Sequence, residues 1–509
     1  MADSQRDSFG KVYLVGAGPG DPGLLTLRGQ ACLQLADVVI YDYLVNPKIL
    51  NHCPQAEALC LGKHGGGRII SQEEVNERIV HWAGQGKQVV RLKGGDPAIF
   101  ARAHEELAVI EQQGIPYEIV PGITSALAVT SSVGVPLTHR EHSSAVALVT
   151  GQGKNGGPPQ NIDYRALAAF PGTLVFYMAT TTVDHWSGEL LRAGMDGSTP
   201  VVAVRHCSLP TQVSFSCRLD RISEVTRQNG KLRPPVLFIV GRTAGSYGRY
   251  NWFESRPLFG ETILVTRPAH QAESLASRLE QLGAEVLLQP AIDIRPVSNG
   301  GSLASAVSEL DQFDWIVFSS VNGVEYFFRQ VMSTADIRLL GNVKFAVIGP
   351  ATAGRLADFH LRADWMPERY DADALANELL PMVESKRVLL VRASRGREVL
   401  FETLRSVASR VEQVVCYESH DVSEADPEIS RRLESGEIDY VTVTSSAIAN
   451  SLFRLFGNQL RKTALASISP ITTSAVNGCD LEIACEAAEA TMEGVVEAIV
   501  AHRLKSRQQ

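Results

Sequence analysis

Nowhere in the 509-residue chain is there a run of about 18 uncharged apolar residues, so no membrane-spanning helix is expected. The opening segment lacks a basic stretch followed by an apolar one, so no signal peptide is expected and the reading is cytoplasmic. Paired cysteines are also missing. The eight cysteines are scattered without a CxxC, which reads as reduced thiols and excludes a disulfide framework or a thiolate metal site. There is no HExxH and no Cys/His cluster, and His139 and His142 of HREH are only two histidines three apart, so no metal is expected. Basic excess is absent as well. The net charge is −8, with near balance in the first half and an acidic second half, which argues against nucleic acid as the main partner. An anionic small substrate would need a local cationic cluster.

What is present is a recurring alternation of short apolar runs with helical stretches. Strand-like runs fall at Val12–Val15, Val38–Tyr41, Val89–Leu92, Ala145–Val149, Leu174–Tyr177 and Leu237–Val240. They continue at Ile263–Thr266, Ile316–Phe318, Phe345–Ile348, Val388–Val391 and Tyr440–Val443. This pattern predicts α/β layers with largely parallel sheets. Gly, Ser and Pro punctuate the stretch from Arg242 to Pro268, which divides the chain near its middle.

In the first half, VGAGPGDPGLLT (Val15–Thr26) follows a strand and precedes a helix. Its third glycine is displaced and Pro19 interrupts it, so a dinucleotide fingerprint is poorly matched, and a tight turn alone would need such glycines. Further glycine- or proline-bearing strand ends lie at Gly62–Asn76, Val89–Glu106, Val120–Ala128 and Gly134–Arg140. They carry Lys63, Arg68, Arg91, Lys93, Arg102, His139 and Arg140. Each cation alone reads as a solvated charge; together, beside strand ends that let backbone approach a ligand, they suggest a cleft for a polyanion.

The combination GAGPGD, YDYLV, RLKGGDP, PGITSA, GVPLTHR and LVFYM, spread from Val12 to Trp252, resembles the tetrapyrrole methylase family, specifically the uroporphyrinogen-III C-methyltransferases. The resemblance implies a two-domain methylase fold over 10–252, with subdomains at about 10–120 and 125–250, usually as a homodimer. It also implies S-adenosylmethionine as methyl donor, contacted by Pro19, Gly94, Gly95, Asp96, Ile99, Thr124, Ser125 and Met178. Cys207 stands where a cofactor-contacting glycine is usual. Asp42 would be the proton acceptor and Lys63 a proton donor or carboxylate anchor, with Arg91, Lys93 and Arg140 on substrate carboxylates. Taken blindly, Asp42 is a turn cap. The family's GRGGEE is here Ala101-Arg102-Ala103-His104-Glu105-Glu106, with its three glycines lost.

In the second half, strand–Ser/Thr–helix units repeat. By residue type alone these hydroxyls are helix caps, and the periodicity equally fits a two-lobed binding protein. VTRP, SSVNGV, GPATA, PERYDADAL, RASRGRE and a strand ending at Tyr417 resemble uroporphyrinogen-III synthase. The resemblance spans 258–505 and implies two flavodoxin- or Rossmann-like lobes, one about 260–292 plus 420–505, the other about 297–414. Crossing strands are expected near Leu288–Ile294 and Val411–Glu418. Candidate substrate-binding residues are Ser319, Ser320, Thr352, Arg392, Ser394, Arg395, Ser445 and Thr472, with Tyr417 as a weak acid.

The combined expectation is a bifunctional enzyme. One half would close hydroxymethylbilane to uroporphyrinogen-III, and the other would methylate C2 and C7 of that product to precorrin-2, en route to sirohaem or cobalamin. Its partners are small tetrapyrroles, not nucleic acid or membrane. Three other readings stand beside it: a methyltransferase with a non-catalytic tetrapyrrole-binding second half, a nucleotide-dependent oxidoreductase, and a methylase of a later corrin intermediate.

Overall fold

The computed structural model describes residues 9–62, 70–153, 155–230, 232–298, 301–396 and 398–507. The chain forms two units, Met1–Gly260 and Glu261–Gln509.

Unbroken Val/Ile/Leu runs make the central strands of the first unit, because a parallel sheet covered by helices buries both faces. Its first sheet contains β1 (Val12–Gly16), β2 (Val38–Asp42), β3 (Glu57–Leu61), β4 (Val89–Lys93) and β5 (Tyr117–Val120) in the order β3-β2-β4-β1-β5. Every pairing in it is parallel. Separate apolar clusters cover its two faces, one around Cys32, Leu33 and Ile49, the other around Val75, Ile79 and Ile110. The next strands are β6 (Val146–Thr150), β7 (Thr173–Tyr177), β8 (Pro200–Arg205), β9 (Val213–Arg218) and β10 (Val236–Val240), ordered β6-β7-β10-β8-β9. This sheet departs from the largely parallel pairing that holds in the others. Only β6 and β7 run parallel, and β10 lies antiparallel to both its neighbours. The helix that would return the chain for a parallel partner is absent between β8 and β9, which form an antiparallel pair across a short polar turn.

The second unit continues with β11 (Thr262–Val265), β12 (Glu285–Leu288), β13 (Ile292–Pro296), β14 (Trp315–Phe318), β15 (Lys344–Val347), β16 (Arg387–Ala393), β17 (Arg410–Asp421), β18 (Tyr440–Val443), β19 (Ala464–Ser467) and β20 (Ile483–Glu486). One sheet has the order β12-β11-β18-β19-β20, wholly parallel, which is the 2-1-3-4-5 doubly wound arrangement. The other has the order β13-β17-β16-β14-β15. The long β17 pairs in parallel with β16 through Tyr417 and then antiparallel with β13 from Tyr417 to Asp421. The crossing ladder is therefore Ile292–Pro296 against Tyr417–Asp421, several residues further along than Leu288–Ile294 and Val411–Glu418. Leu288 ends β12 in the other sheet, and Pro290 breaks the run before β13 begins.

Glycines let three backbones meet at the tips of the first sheet. A Cβ on Gly16 would lie 2.6 Å from the Gly122 Cα, and one on Gly122 would lie 2.3 Å from the Gly95 carbonyl oxygen. Backbone surrounds both positions and neither can give way. Gly122→Ala is expected to cost about 1–3 kcal/mol or more through overpacking, read as a lowered melting temperature of the full chain; wild-type melting would contradict this packing.

Candidate functional site

At the tips of β1, β4 and β5 the loops are stitched together by main chain. Ala17 N–H donates to the Lys93 carbonyl at 2.7 Å, and Gly18 and Gly95 exchange bonds of 3.1 and 2.7 Å. Asp96 completes the stitch: one carboxylate oxygen accepts from Ala98 N at 2.7 Å and the other from Gly122 N at 2.9 Å. Its side chain thus holds two loops, a role the sequence did not disclose. Gly95 has φ +70°, and Ile99 N–H closes the following turn on the Asp96 carbonyl. A Cβ on Gly94 would meet nothing nearer than 3.9 Å, so the missing side chain leaves a gap there and relieves no clash. Pro19 is half-buried between Gly18 and Gly20, and the Asn46 amide donates to the Gly20 carbonyl at 2.8 Å.

Thr124 precedes the helix Ser125–Val133, and its hydroxyl lies 2.7 Å from the Tyr177 hydroxyl, which also accepts from Ala126 N at 3.0 Å. Tyr177, at the end of β7, so ties the first sheet's loop to the second sheet, and burial pushes its phenol pKa up. Met178 follows it at φ +51°, with its side chain 46% exposed. The turn at His206 (φ +52°) and Ser208 (φ +66°) sends the Ser208 hydroxyl to Asp21 N at 3.2 Å. Cys207 lies between them. Its thiol is buried among apolar side chains and reaches the Ser125 carbonyl at 4.0 Å, and that burial pushes its pKa up to about 12. None of the three positions that lose a glycine, Ala101, Ala103 and His104, takes a positive φ; the positive values (52° and 56°) fall on Phe100 and Arg102.

Asp42 ends β2 with its carboxylate 33% exposed and accepts from Arg91 Nη2 at 2.6 Å. Arg91 also donates through Nε to Glu106 at 3.0 Å, and Lys93 Nζ donates to the same Glu106 oxygen at 2.7 Å. Gln72 Nε2 adds a third donor at 3.2 Å. Arg91 and Lys93 are thus corrected from substrate ligands to buried framework: both charges face Glu106, which is fully enclosed, while its other oxygen, Oε2, has no partner. Burial, then repulsion from Arg91, pulls the Lys93 pKa down. Sequence reasoning missed Glu106, although a signal existed: Ala103, Glu106 and Ile110 form the buried face of the helix Ala103–Gln112, so a carboxylate occupies an apolar-stripe position. Arg140 is exposed. Lys63 and Arg68 lie outside the described residues. His139, Glu141 and His142, all exposed, bring three ligand-type atoms within 4.8 Å of one another, and His139 Nδ1 already accepts from Glu141 N at 3.2 Å.

In the second unit the Ser/Thr residues are mostly helix caps. Ser320 caps Val321–Thr334 by accepting from Gly323 N at 3.0 Å, and Ser445 caps Ser446–Phe456 by accepting from Ile448 N at 3.2 Å. Ser319 is half-buried beside the first cap. Thr352 and Thr472 require correction as ligand groups, because both are buried inside the first turns of their helices. Arg392 is committed to Glu398 and Gln413, and Arg395 to Asp421 at 2.8 Å and Ser419 at 3.1 Å, so neither guanidinium is free. Ser394 is exposed, and its hydroxyl accepts from Ser419 N at 3.1 Å. Tyr417 is 6% exposed; its hydroxyl lies 3.0 Å from the Ser320 hydroxyl, and burial raises its pKa. It holds its proton more tightly than a free phenol and serves as a hydrogen-bond donor more readily than as an acid.

The two lobes of this unit meet at a polar seam. Gln271 Nε2 donates to Asn322 Oδ1 at 2.5 Å, joining the helix Ala269–Gln281 of one lobe to Val321–Thr334 of the other. Asp421 gathers Arg395, Ser451 and Arg454 at a second point. Neither Asp421 nor Gln271 stood out in sequence.

These features define a tandem of two α/β units, the first with glycine-stitched strand tips, the second with two lobes and a polar seam. Residues 11–223 match the family described as Tetrapyrrole (Corrin/Porphyrin) Methylases, and residues 273–497 match Uroporphyrinogen-III synthase HemD. The Porphyrin biosynthesis protein HemD of Ruminiclostridium josui is 34% identical over 441 residues, 86% of this chain and 87% of that protein. The Uroporphyrinogen-III C-methyltransferase of Bacillus subtilis is 35% identical over 335 residues, 65% of this chain and 68% of that protein. The solved uroporphyrin-III C-methyl transferase of Thermus thermophilus, complexed with S-adenyl homocysteine, is 40% identical over 47% of this chain and 100% of that one, with a TM-score of 0.41. The chain belongs to this family, a tetrapyrrole methylase joined to a uroporphyrinogen-III synthase of the HemD type. Among the described residues no helix is long and apolar enough to cross a membrane.

Proposed function

We propose that the second unit closes hydroxymethylbilane to uroporphyrinogen-III with inversion of ring D, and that the first unit methylates C2 and C7 of that product to give precorrin-2. The observation that carries the methylation half is Asp42: a strand-end carboxylate, partly open, fixed by a buried arginine beside glycine-lined loops. The gap at Gly94, the positive φ of Gly95 and the exposed Met178 suit a bound S-adenosylmethionine, with Pro19, Asp96, Ile99, Thr124, Ser125 and the Cys207 backbone around them. When bound, its sulfonium supplies the methyl group. The chain's own residues then position the pyrrole carbon for in-line attack and give the ring N–H proton a fixed acceptor in Asp42. Lys63 is assigned to proton supply or carboxylate anchoring, and Arg140 to carboxylate anchoring. Titration calorimetry of the full chain with S-adenosylmethionine, NAD and NADP tests the cofactor reading. Binding of the sulfonium compound alone is expected, and binding of a nicotinamide dinucleotide alone would overturn it.

In the synthase half, uncatalysed closure gives the non-inverted isomer, so the protein's work is to hold the bent conformer that favours attack at the substituted carbon. Ser319, Ser320, Ser394, Ser445 and the Tyr417 hydroxyl supply hydrogen-bonding groups for this. Tyr417→Phe is expected to lower ring closure by about tenfold, the worth of one net hydrogen bond, with methyl transfer unchanged. Ring closure at the wild-type rate would remove Tyr417 from the site.

We also assign a homodimer through the methylase unit. Tyr117 and Ile119 stand outward on the edge strand β5, an apolar strip that a second copy would cover. Sedimentation of the full chain as a monomer would contradict it.

A further inference from the structure

Arg267 is an unusual cation in the second unit. It sits just past the tip of β11, before the helix Ala269–Gln281. It is not exposed, and among the described residues no carboxylate lies within ion-pair distance of it. Among the described residues the unit's other half-buried arginines are paired: Arg355 with Glu325 and Asp358, Arg392 with Glu398, Arg395 with Asp421, Arg432 with Glu285 and Arg503 with Glu261. Arg267 donates only to Gln271, through Nη1 to the carbonyl at 2.9 Å and through Nη2 to Oε1 at 3.1 Å. A guanidinium has five N–H donors, so most of this fork is unused. Burial alone depresses its pKa, with no acidic group offsetting the cost.

Its surroundings lie at the seam between the lobes. The Gln271 side chain that receives Arg267 passes the contact on to Asn322, and His270 Nε2 lies 3.3 Å from the same Asn322 oxygen. Asn322 opens the helix capped by Ser320, whose hydroxyl meets Tyr417. One desolvated, unpaired planar cation therefore stands where two lobes bring hydroxyl and amide groups together.

We propose that Arg267 is the carboxylate receptor of the second unit, gripping one acidic side chain of the linear tetrapyrrole as a fork and fixing its bend across the seam. This rests on the synthase reading above and names a specificity-determining residue within it. An ionised carboxylate would give Arg267 the acidic partner that the unit's other half-buried arginines already have, here as a bidentate fork, and an ammonium would not reproduce the planar fork.

The test uses the full chain with Arg267→Gln and Arg267→Lys. In the glutamine variant the KM for hydroxymethylbilane is expected to rise about tenfold or more, with kcat within about threefold, because the lost contact is made equally before and during closure. The share of non-inverted isomer should rise in step. The lysine variant should fall between glutamine and wild type. Melting temperature and methyl-transfer kinetics should stay at wild-type values. A separate arm titrates uroporphyrin III, a stable polycarboxylate probe, and counts its sites; one of two site classes should weaken in the glutamine variant. If wild type leaves hydroxymethylbilane to close spontaneously, the synthase reading fails, while the probe arm still reports on Arg267. Unchanged KM and unchanged probe binding, or a fall in melting temperature without either change, would overturn the proposal and leave Arg267 as a clasp for Gln271.

Discussion

Asp42→Asn is expected to abolish most methyl transfer, by about 10²- to 10⁴-fold, the usual contribution of a positioned general base, while leaving ring closure untouched. The substitution is nearly isosteric. Arg91 Nη2 donates to Oδ1 at 2.6 Å, and an asparagine carbonyl can accept the same bond, so the framework of Arg91, Lys93 and Glu106 has no cause to rearrange. What is lost is the capacity to take a proton. The check is paired: methyl incorporation from labelled S-adenosylmethionine, and isomer analysis of the ring-closed product from the same preparation. Binding of the methyl donor should persist, since its assigned contacts lie in the loops after β1, β4, β5, β7 and β8 and not at the end of β2. Methylation within a few-fold of wild type would remove Asp42 from the chemistry.

Glu106→Gln is the second large effect, and it acts on stability. Glutamine keeps one acceptor for Arg91, Lys93 and Gln72 but removes the negative charge that two buried cations face. Breaking a buried pair by neutralising one partner costs about 3–5 kcal/mol. Lys93 gives this loss a pH signature. Its folded-state pKa already lies below the ordinary lysine value, because burial and Arg91 disfavour its charge. Between the folded and unfolded values the unfolded chain binds more protons, so this group's contribution to stability rises with pH. Without Glu106, which favours the charged form, the folded value falls further and the window widens downward. Thermal unfolding from pH 7 to about 9.5 should show the variant recovering part of its deficit relative to wild type, reflecting relief of this titration. A deficit that stays constant or grows with pH would show that Lys93 is not the group left exposed by the change.

The contrast between what could and could not be read from sequence follows burial. Central strands with both faces covered, such as β1, β4, β10 and β18, are unbroken apolar runs and were placed within a residue or so. Strands at the edges, such as Glu57–Leu61, Tyr117–Val120, Val213–Arg218 and Ile483–Glu486, expose one face and mix polar with apolar residues, which left them out of the sequence reading. In the site, local contacts follow the chain: the Thr26 hydroxyl caps its helix by accepting from Gly29 N three residues away. Asp96, Glu106 and Tyr177 were not legible as framework, since their partners lie across loops or in another sheet. Type and motif position marked Arg91 and Lys93 as cations at a strand tip; only the fold shows that both turn inward onto one carboxylate.

The central claim is that one chain carries two linked chemistries on the same tetrapyrrole. The most direct measurement supplies the purified full chain with hydroxymethylbilane and S-adenosylmethionine and follows the products by mass and isomer over time. The account predicts the inverted cyclic isomer first, then one and two added methyl groups, with Asp42→Asn halting the sequence at the unmethylated ring. Formation of the non-inverted isomer alone, or a ring-closed product that never gains a methyl group, would contradict it.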